Sequence, residues 1–591
     1  MRVIKTKDRS KLIQAAMGKT PCDLTIGNVQ FLNVITGEIY PASVDILDGF
    51  VVLVREEGQE PALPAKKYYD GCGRYLIPGF IDTHVHVEST MMIPENLSRA
   101  ILPWGTTTIC TDPHEIGNVM GIEGVEFMLA NAKKSKLRQY VLAPSCVPSV
   151  PGLENAGAEF GAAEIGRLLD MDNVVGIAEI MDYVGVINDT ERMHSIIEEG
   201  VKRGMFLQGH APYCTGKELA AYLIGGPVSD HESVSEDEVR AKLRAGMHIN
   251  LRASSLIDSL SFLVDGCKDM PWRDFVSVCT DDVHAKDLLT VGHVNKVVGK
   301  AIAAGLDGKE VIKLATLNAA REYGFADLGA IAPGYIADIQ LVDALDGSRP
   351  KAVFVEGELV AEDGKYLGSD SMGEAYDLPN TVNIPQLSGS DSFRLRVPEG
   401  YSGSTVTVNV MTPVPGSRIL RHVVPTELPV KDGAVDISGD ASLCFVCCAN
   451  RYGLGSKTIA VYRDFGLLSG ALASTISHDS HNLTVCYRSA DDAWLAAETL
   501  RNCGGGVCAA NNGSETHIEL PAAGLMSQKP CAEVAQDIAE VQKAVDVISG
   551  GALTLLASAI IALPVLPSVV ITDMGLVDGT TQSFVPVFAD M

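Results

Sequence analysis

The sequence predicts an α/β protein: a (β/α)8 TIM-like barrel, a flanking small β-sandwich and an additional C-terminal α/β domain. Three observations predict it. Between about residues 76 and 325 an apolar run, a loop and a helical pattern recur eight times, the rhythm and size of an eight-fold barrel. Strand-like segments with turn signals stand on both sides of that region. Beyond it, over 391–591, strands and helices alternate irregularly. At ~100–200 residues per domain, 591 residues allow two to four domains. The expected division is 1–75, one part of the β-sandwich; 76–325, the barrel; 326–370, a return to the sandwich; and 391–591, the C-terminal domain.

The bulk composition narrows the function. The chain is 46% hydrophobic and 20% charged, so it can bury a core, and its net charge of -27 argues against nucleic acid or an anionic membrane as partner. A small, near-neutral substrate fits. Met1-Arg-Val-Ile-Lys5 lacks the apolar stretch of a secretory leader, and the 14 cysteines are scattered, so reduced thiols in a cytoplasm are expected. Cys444-Phe-Val-Cys447 has no second pair at zinc-ribbon spacing and reads as a buried strand. Ser549 to Thr572 carries no charge, but Gly550, Gly551, Pro564 and Pro567 interrupt it. A buried helix, a loop and a strand are expected there, not a membrane span.

In chain order, residues 24–56 alternate and turn at Gly37, as short strands do. The barrel opens on Leu76-Ile-Pro-Gly-Phe-Ile-Asp-Thr-His-Val-His86. Its further strands are expected at Thr106–Thr111, Tyr140–Ser145, Val174–Ile180, Met205–Gly209, Gly226–Asp230, His248–Leu251 and Val276–Thr280. Helices are expected at Val234–Ala245 and Val294–Ala304. After the barrel, Ile331–Val342 and Ala352–Val360 return to strands, and 365–390 reads as a linker.

Chemistry is expected where polar residues close an apolar strand, because barrel sites sit at the C-terminal strand ends. Strand one offers His84 and His86, which share a strand face and can grip one ion. Strand four ends on Glu179, strand five on His210, strand six on His231 and Glu232, and strand eight on Asp281. Each alone has an ordinary reading: a hydrogen-bonded core histidine, a strand-end charge, a helix cap. Together they suit one divalent transition ion, or two sharing a bridging carboxylate and hydroxide. Asp112, His114 and Glu115 follow strand two, where they could contact substrate, hold an additional ion, or form a turn closed by Pro113. His478, Asp479 and His481 could reach the barrel mouth as a lid or form a polar turn. His284 and His293 stay undecided.

The ordered set resembles the adenine deaminase family of the amidohydrolase superfamily. The resemblance extends through Thr111–Asn118, Ala143–Pro148, Gly176–Asp182, Asp230–Glu232, Thr280–Asp282, Ser477–Asn482, Leu563–Pro567 and Thr572–Val577, nearly the whole chain. It implies hydrolysis of adenine to hypoxanthine and ammonia, as in purine salvage, by hydroxide attack on the amino-bearing ring carbon. It implies metal ligands His84, His86, Glu179, His210, His231 and Asp281, with Glu179 where many relatives carry a carboxylated lysine. Two divalent ions are expected, Mn2+ or Fe2+ with Zn2+ as an alternative. Asp281 is the expected proton acceptor and Glu232 the second proton carrier; Asp112, His114, Arg252 and His478 are candidate substrate contacts. The chain departs from the family at Arg252-Ala-Ser-Ser255, where Glu and Gly ordinarily follow the arginine, and at Val283, where a basic residue is common. A homodimer or larger homo-oligomer is expected. The rivals are another amidohydrolase acting on a cyclic amide or an N-acetyl sugar, and a barrel scaffold without catalysis. The Pro-Cys-x-x-Cys of the zinc nucleobase deaminases is absent.

Overall fold

The computed structural model of the chain describes residues 9–58, 61–255, 259–368, 376, 378–417 and 419–589. Met1–Lys5 and part of the expected linker, 369–375 with 377, lie outside the described residues.

Eight parallel strands curl into the barrel: β1 (Phe80–His86), β2 (Thr106–Thr111), β3 (Arg138–Ala143), β4 (Val174–Ile180), β5 (Phe206–Gly209), β6 (Ser229–Asp230), β7 (His248–Arg252) and β8 (Val276–Cys279). They form two ladders, β1 to β5 and β6 to β8. One seam is bridged by a bond from the Val228 N–H to the Leu207 carbonyl (3.0 Å). The other closes through strand eight itself. Past Thr280 the chain resumes as Asp281–Asp282, which pairs with β1, Asp281 opposite Val85 and Asp282 opposite His86. The break is held from β1. The buried Asp82 carboxylate accepts from the Thr280 N–H (3.1 Å) and hydroxyl (2.5 Å). Asp281 follows at φ +60°, a left-handed conformation that aspartate tolerates better than most residues.

Two strands differ from the reading of the sequence for a backbone reason. β6 is shorter than 226–230 because Gly226 turns at φ +127° and Pro227 has no N–H to give a ladder. β3 stops at Ala143 because Pro144 follows. The helix expected at Val234–Ala245 runs Glu236–Arg244, its start fixed by Ser235, whose hydroxyl accepts from the Glu238 N–H (3.3 Å).

Chain on either side of the barrel joins in one nine-stranded sheet. Tyr75–Pro78 lies between Cys22–Asn33 on one side and Ile339–Val342 on the other. The sheet folds over its own core, so the Tyr69 ring meets Phe354 edge-on at 5.2 Å. Ile331–Asp338 is not strand; Pro333 and Gly334 turn it. The stretch 352–360 splits into Ala352–Val355 and Glu358–Glu362 around a turn with Glu356 and Gly357 at positive φ. The linker expected from 365 begins instead on a short strand, Lys365–Tyr366.

Beyond it a second nine-stranded, mainly antiparallel sheet carries a helix on each face, Ala490–Cys503 and Cys531–Ser549. Leu443–Ala449 is an inner strand buried on both faces. Cys444 and Cys448 face one core and Cys447 the other, all as free thiols. Burial pushes Cys444 and Cys447 up to about 12, which makes them inert packing. Between Ser549 and Thr572 the helix expected there is missing. Gly550 caps Cys531–Ser549 at φ +63°, turns follow, and the strand is Val569–Thr572. No helix among the described residues is long and apolar enough to cross a membrane. The core on the Cys531–Ser549 face continues into Val85, Val87, Met91 and Ile116 of the barrel, so the sheet sits directly over the strand ends.

Candidate metal centre

The strand ends bring all six sequence-predicted ligand side chains together. On β1, alternation aims His84 and His86 the same way. His84 Nδ1 donates to Gln208 Oε1 (2.9 Å), and His86 Nδ1 donates to the Asp112 carbonyl (3.1 Å). Those bonds turn both Nε2 atoms into the cluster. The two Nε2 atoms then face each other at 3.1 Å, with Asp281 Oδ1 3.6 and 3.3 Å away. Two ring nitrogens turned on one another beside a carboxylate are a donor set that one cation can share.

Glu179 stands at the centre. Its Oε1 is 3.4 Å from His86 Nε2; its Oε2 is 2.5 Å from His210 Nδ1 and 3.3 Å from His231 Nε2. Burial alone would raise this carboxyl, but the surrounding imidazoles hold it well below the ordinary carboxylate range. Asp281 behaves alike: burial opposes ionisation, while His84, His86 and Arg252 hold it well below that range. Burial, with repulsion from His84, pushes His231 down to about 4, so its ring stays neutral and able to coordinate. Its ring lies against that of His84, centroids 4.0 Å apart, and its Nδ1 is buried without a hydrogen-bond partner.

These donors fall into overlapping groups, His84 with His231 and Asp281, and Glu179 with His210 and His231. In each, the ligand atoms lie within 4.8 Å of one another. Clustered imidazole nitrogens and ionised carboxylates fit divalent transition ions. Imidazoles anchored through Nδ1 on an amide and a carbonyl have the outer support that metal-binding histidines use.

Arg252, at the end of β7, touches two carboxylates at once. Its Nη1 donates to Asp281 Oδ2 (2.8 Å) and to Glu232 Oε1. Glu232 and His210 are the more open members, their side chains 18% and 16% exposed against 7% for Asp281. They therefore mark the side from which solvent reaches the site. The departure at Ala253–Ser254 leaves this arrangement in place. Ala253 is buried in the barrel core, and the Ser254 hydroxyl donates to the Asp282 carbonyl (3.1 Å).

Asp112 is fully buried and accepts from the His114 N–H (3.0 Å) and ring (3.1 Å). His114 Nδ1 also lies 3.4 Å from Glu179 Oε1. The C-terminal loop Ser477–Asn482 reaches the mouth: Asp479 Oδ1 is 3.5 Å from His114 Nε2, and His478 Nδ1 is 4.0 Å from Glu115 Oε1. His284 lies at the start of the helix Ala285–Thr290, and burial lowers its affinity for a proton. His293 lies beneath the cluster, between Thr106 (3.1 Å) and Thr280 (3.3 Å), with burial pushing it down to about 3. Sequence reasoning gave no role to Gln208, although it lies on β5 two residues before His210. It also passed over Ser89, whose hydroxyl joins Glu115 (3.2 Å) to Asp282.

An eight-stranded barrel with polyhistidine and carboxylate groups at its strand ends defines an amidohydrolase. The Amidohydrolase family model matches residues 75–360, and the Adenine deaminase C-terminal domain model matches 418–583. The chain is 36% identical to adenine deaminase 2 of Carboxydothermus hydrogenoformans, over 98% of this chain and 99% of the relative. It is 38% identical to an adenine deaminase of Klebsiella pneumoniae, over 90% and 88%. A solved beta-aspartyl dipeptidase of Fervidobacterium islandicum overlaps 59% of this chain and 99% of its own at 21% identity, with a TM-score of 0.45. This chain belongs to the adenine deaminase family.

Proposed function

We propose that the chain hydrolyses adenine to hypoxanthine and ammonia, a purine-salvage reaction. The full-length likeness to adenine deaminases supports the ring that is attacked. The observation that carries the chemistry is the meeting of Asp281 and Glu232 on Arg252 beside the histidine cluster.

His84, His86 and Asp281 would hold one divalent ion and His210 and His231 a second, with Glu179 between them. When bound, the ions make water acidic enough to act as a nucleophile near neutral pH. Asp281, at the cluster and ionised, accepts the proton that the attacking water gives up. Glu232 lies 3.8 Å from His231 and on the open side, placed to take a proton from solvent and give it to the ring nitrogen, while Asp281 returns its proton to the departing amine. The Arg252 guanidinium keeps Asp281 ionised and both carboxylates aimed between turnovers. The ions are Mn2+ or Fe2+, with Zn2+ the alternative; imidazole and carboxylate donors support all three. The working form is a cytoplasmic homodimer or larger assembly.

The test is a purine panel assayed with Mn2+, Fe2+ and Zn2+ in turn. Loss of adenine absorbance with stoichiometric ammonia release is expected. An enzyme that leaves adenine intact under all three metals, yet opens a dihydropyrimidine or cleaves an N-acetyl sugar, would show this reading to be wrong.

A further inference from the structure

We infer that His114, His478 and Asp479 form a further divalent-cation site, at the junction of the barrel and the C-terminal domain. The side chains come from distant parts of the chain. His114 opens the helix His114–Ala132 after β2, while His478 and Asp479 lie in the loop between the strands Ala471–Ser474 and Leu483–Tyr487. Their donor atoms all lie within 4.8 Å of one another.

The orientation of the side chains favours an ion. His114 Nδ1 faces two carboxylates, Asp112 Oδ2 at 3.1 Å and Glu179 Oε1 at 3.4 Å. Its Nε2 points away from that side toward Asp479. His114 is 3% exposed and Asp479 2%, yet His114 Nε2 and Asp479 Oδ2 have no hydrogen-bond partner. Orphaned polar atoms at that depth are costly.

The spacing agrees. His114 Nε2 is 3.5 Å from Asp479 Oδ1, which is itself 3.9 Å from His478 Nδ1. Those gaps are long for hydrogen bonds. Two ligands bound ~2.1 Å from one ion stand roughly 3.0–3.4 Å apart, so a small contraction would seat it. Behind these three, Glu115 Oε2 and His481 Nε2 lie 3.9 Å apart, and both are also buried without a hydrogen-bond partner. They are donors in reserve. Two imidazoles and a carboxylate suit a first-row divalent ion. Bound here, such an ion would tie residue 114 to residues 478–479 and pin the C-terminal sheet over the barrel mouth.

The test counts ions. The full chain is stripped with a chelator, reloaded with Mn2+, desalted, and its manganese measured by mass spectrometry. Three equivalents are expected for the wild type and two for His478→Ala and Asp479→Asn. Equal content in wild type and both variants overturns the site. Should a variant misfold and lose every ion, the wild-type chain decides alone. On Mn2+ titration the free-ion electron paramagnetic resonance signal should rise only after the third equivalent. A rise after the second overturns the inference. The total of three rests on the two-ion reading above, but the one-ion difference between wild type and variants does not. Neither measurement requires adenine turnover.

Discussion

Arg252 is where a single side chain couples the chemical steps, because one guanidinium nitrogen serves both Asp281 and Glu232. Glu232→Gln removes a proton carrier without touching the six clustered side chains. Its kcat is expected to fall ~10²–10⁴-fold with metal content unchanged, measured by ammonia release alongside metal analysis. Arg252→Gln leaves two neighbouring carboxylates without their counter-charge. Since Arg252 helps keep Asp281 ionised, its loss raises that carboxyl, and the acid limb of the pH–rate profile should move upward as kcat falls. An unmoved limb would mean that the guanidinium does not set the charge state of Asp281. At this scale the sequence is informative for a simple reason: a polar residue closing an apolar strand has nowhere to point but the mouth. It is silent on Gln208, Ser89 and Asp82, whose roles depend on neighbours 124, 193 and 198 positions away.

Single elements decide how well those side chains are aimed. β8 is cut at Thr280 so that Asp281 can leave the β7 ladder and pair with β1. The apolar pattern of 276–280 foretells a strand but not its interruption, which is imposed by Asp82 across the barrel. The loop after β3 carries another element-scale feature. Glu154 accepts from the Ser149 hydroxyl (2.6 Å) and the Val150 N–H (3.2 Å), while its second oxygen is buried without a partner. Burial raises it from 4.5 to about 7. The folded chain thus holds this proton more tightly than the unfolded chain. The stabilisation is complete below about 4.5 and fades as pH rises through 7. The loss is on the order of 3 kcal/mol for a shift of this size. Denaturant titrations at pH 5 and pH 8 should show it, and Glu154→Gln should flatten the difference. An equal pH dependence in the variant would place the titrating group elsewhere.

Across the whole molecule, barrel and C-terminal sheet share a core and a polar clasp. The clasp is Asp573, 1% exposed, which accepts from the Asn155 backbone (3.0 Å) and amide (2.7 Å), Asn450 (3.3 Å) and Ser456 (2.5 Å). Asp573→Ala strands those donors and is expected to cost about 3 kcal/mol, read as a lowered denaturation midpoint. It should also reduce activity, because Asn482 is bonded to the Asn155 carbonyl (2.8 Å) in the same contact. The division into barrel and flanking sheets is legible from periodicity, because each element buries its own face. The seating of the C-terminal sheet on the mouth is not legible that way, since Val85 and Val534 meet in one core only after both domains exist.

The loop Ser477–Asn482 has one more consequence, for the order of events during synthesis. Residues 84 to 281 leave the ribosome well before residues 477–482 do. A nascent chain thus presents its whole histidine and carboxylate cluster to bulk water while its cover is still being made. Any ion would have free access at that stage, and the loop arrives afterwards to cover the His114 side. Slow exchange from the finished protein and rapid uptake by the unfinished one would be two faces of the same architecture.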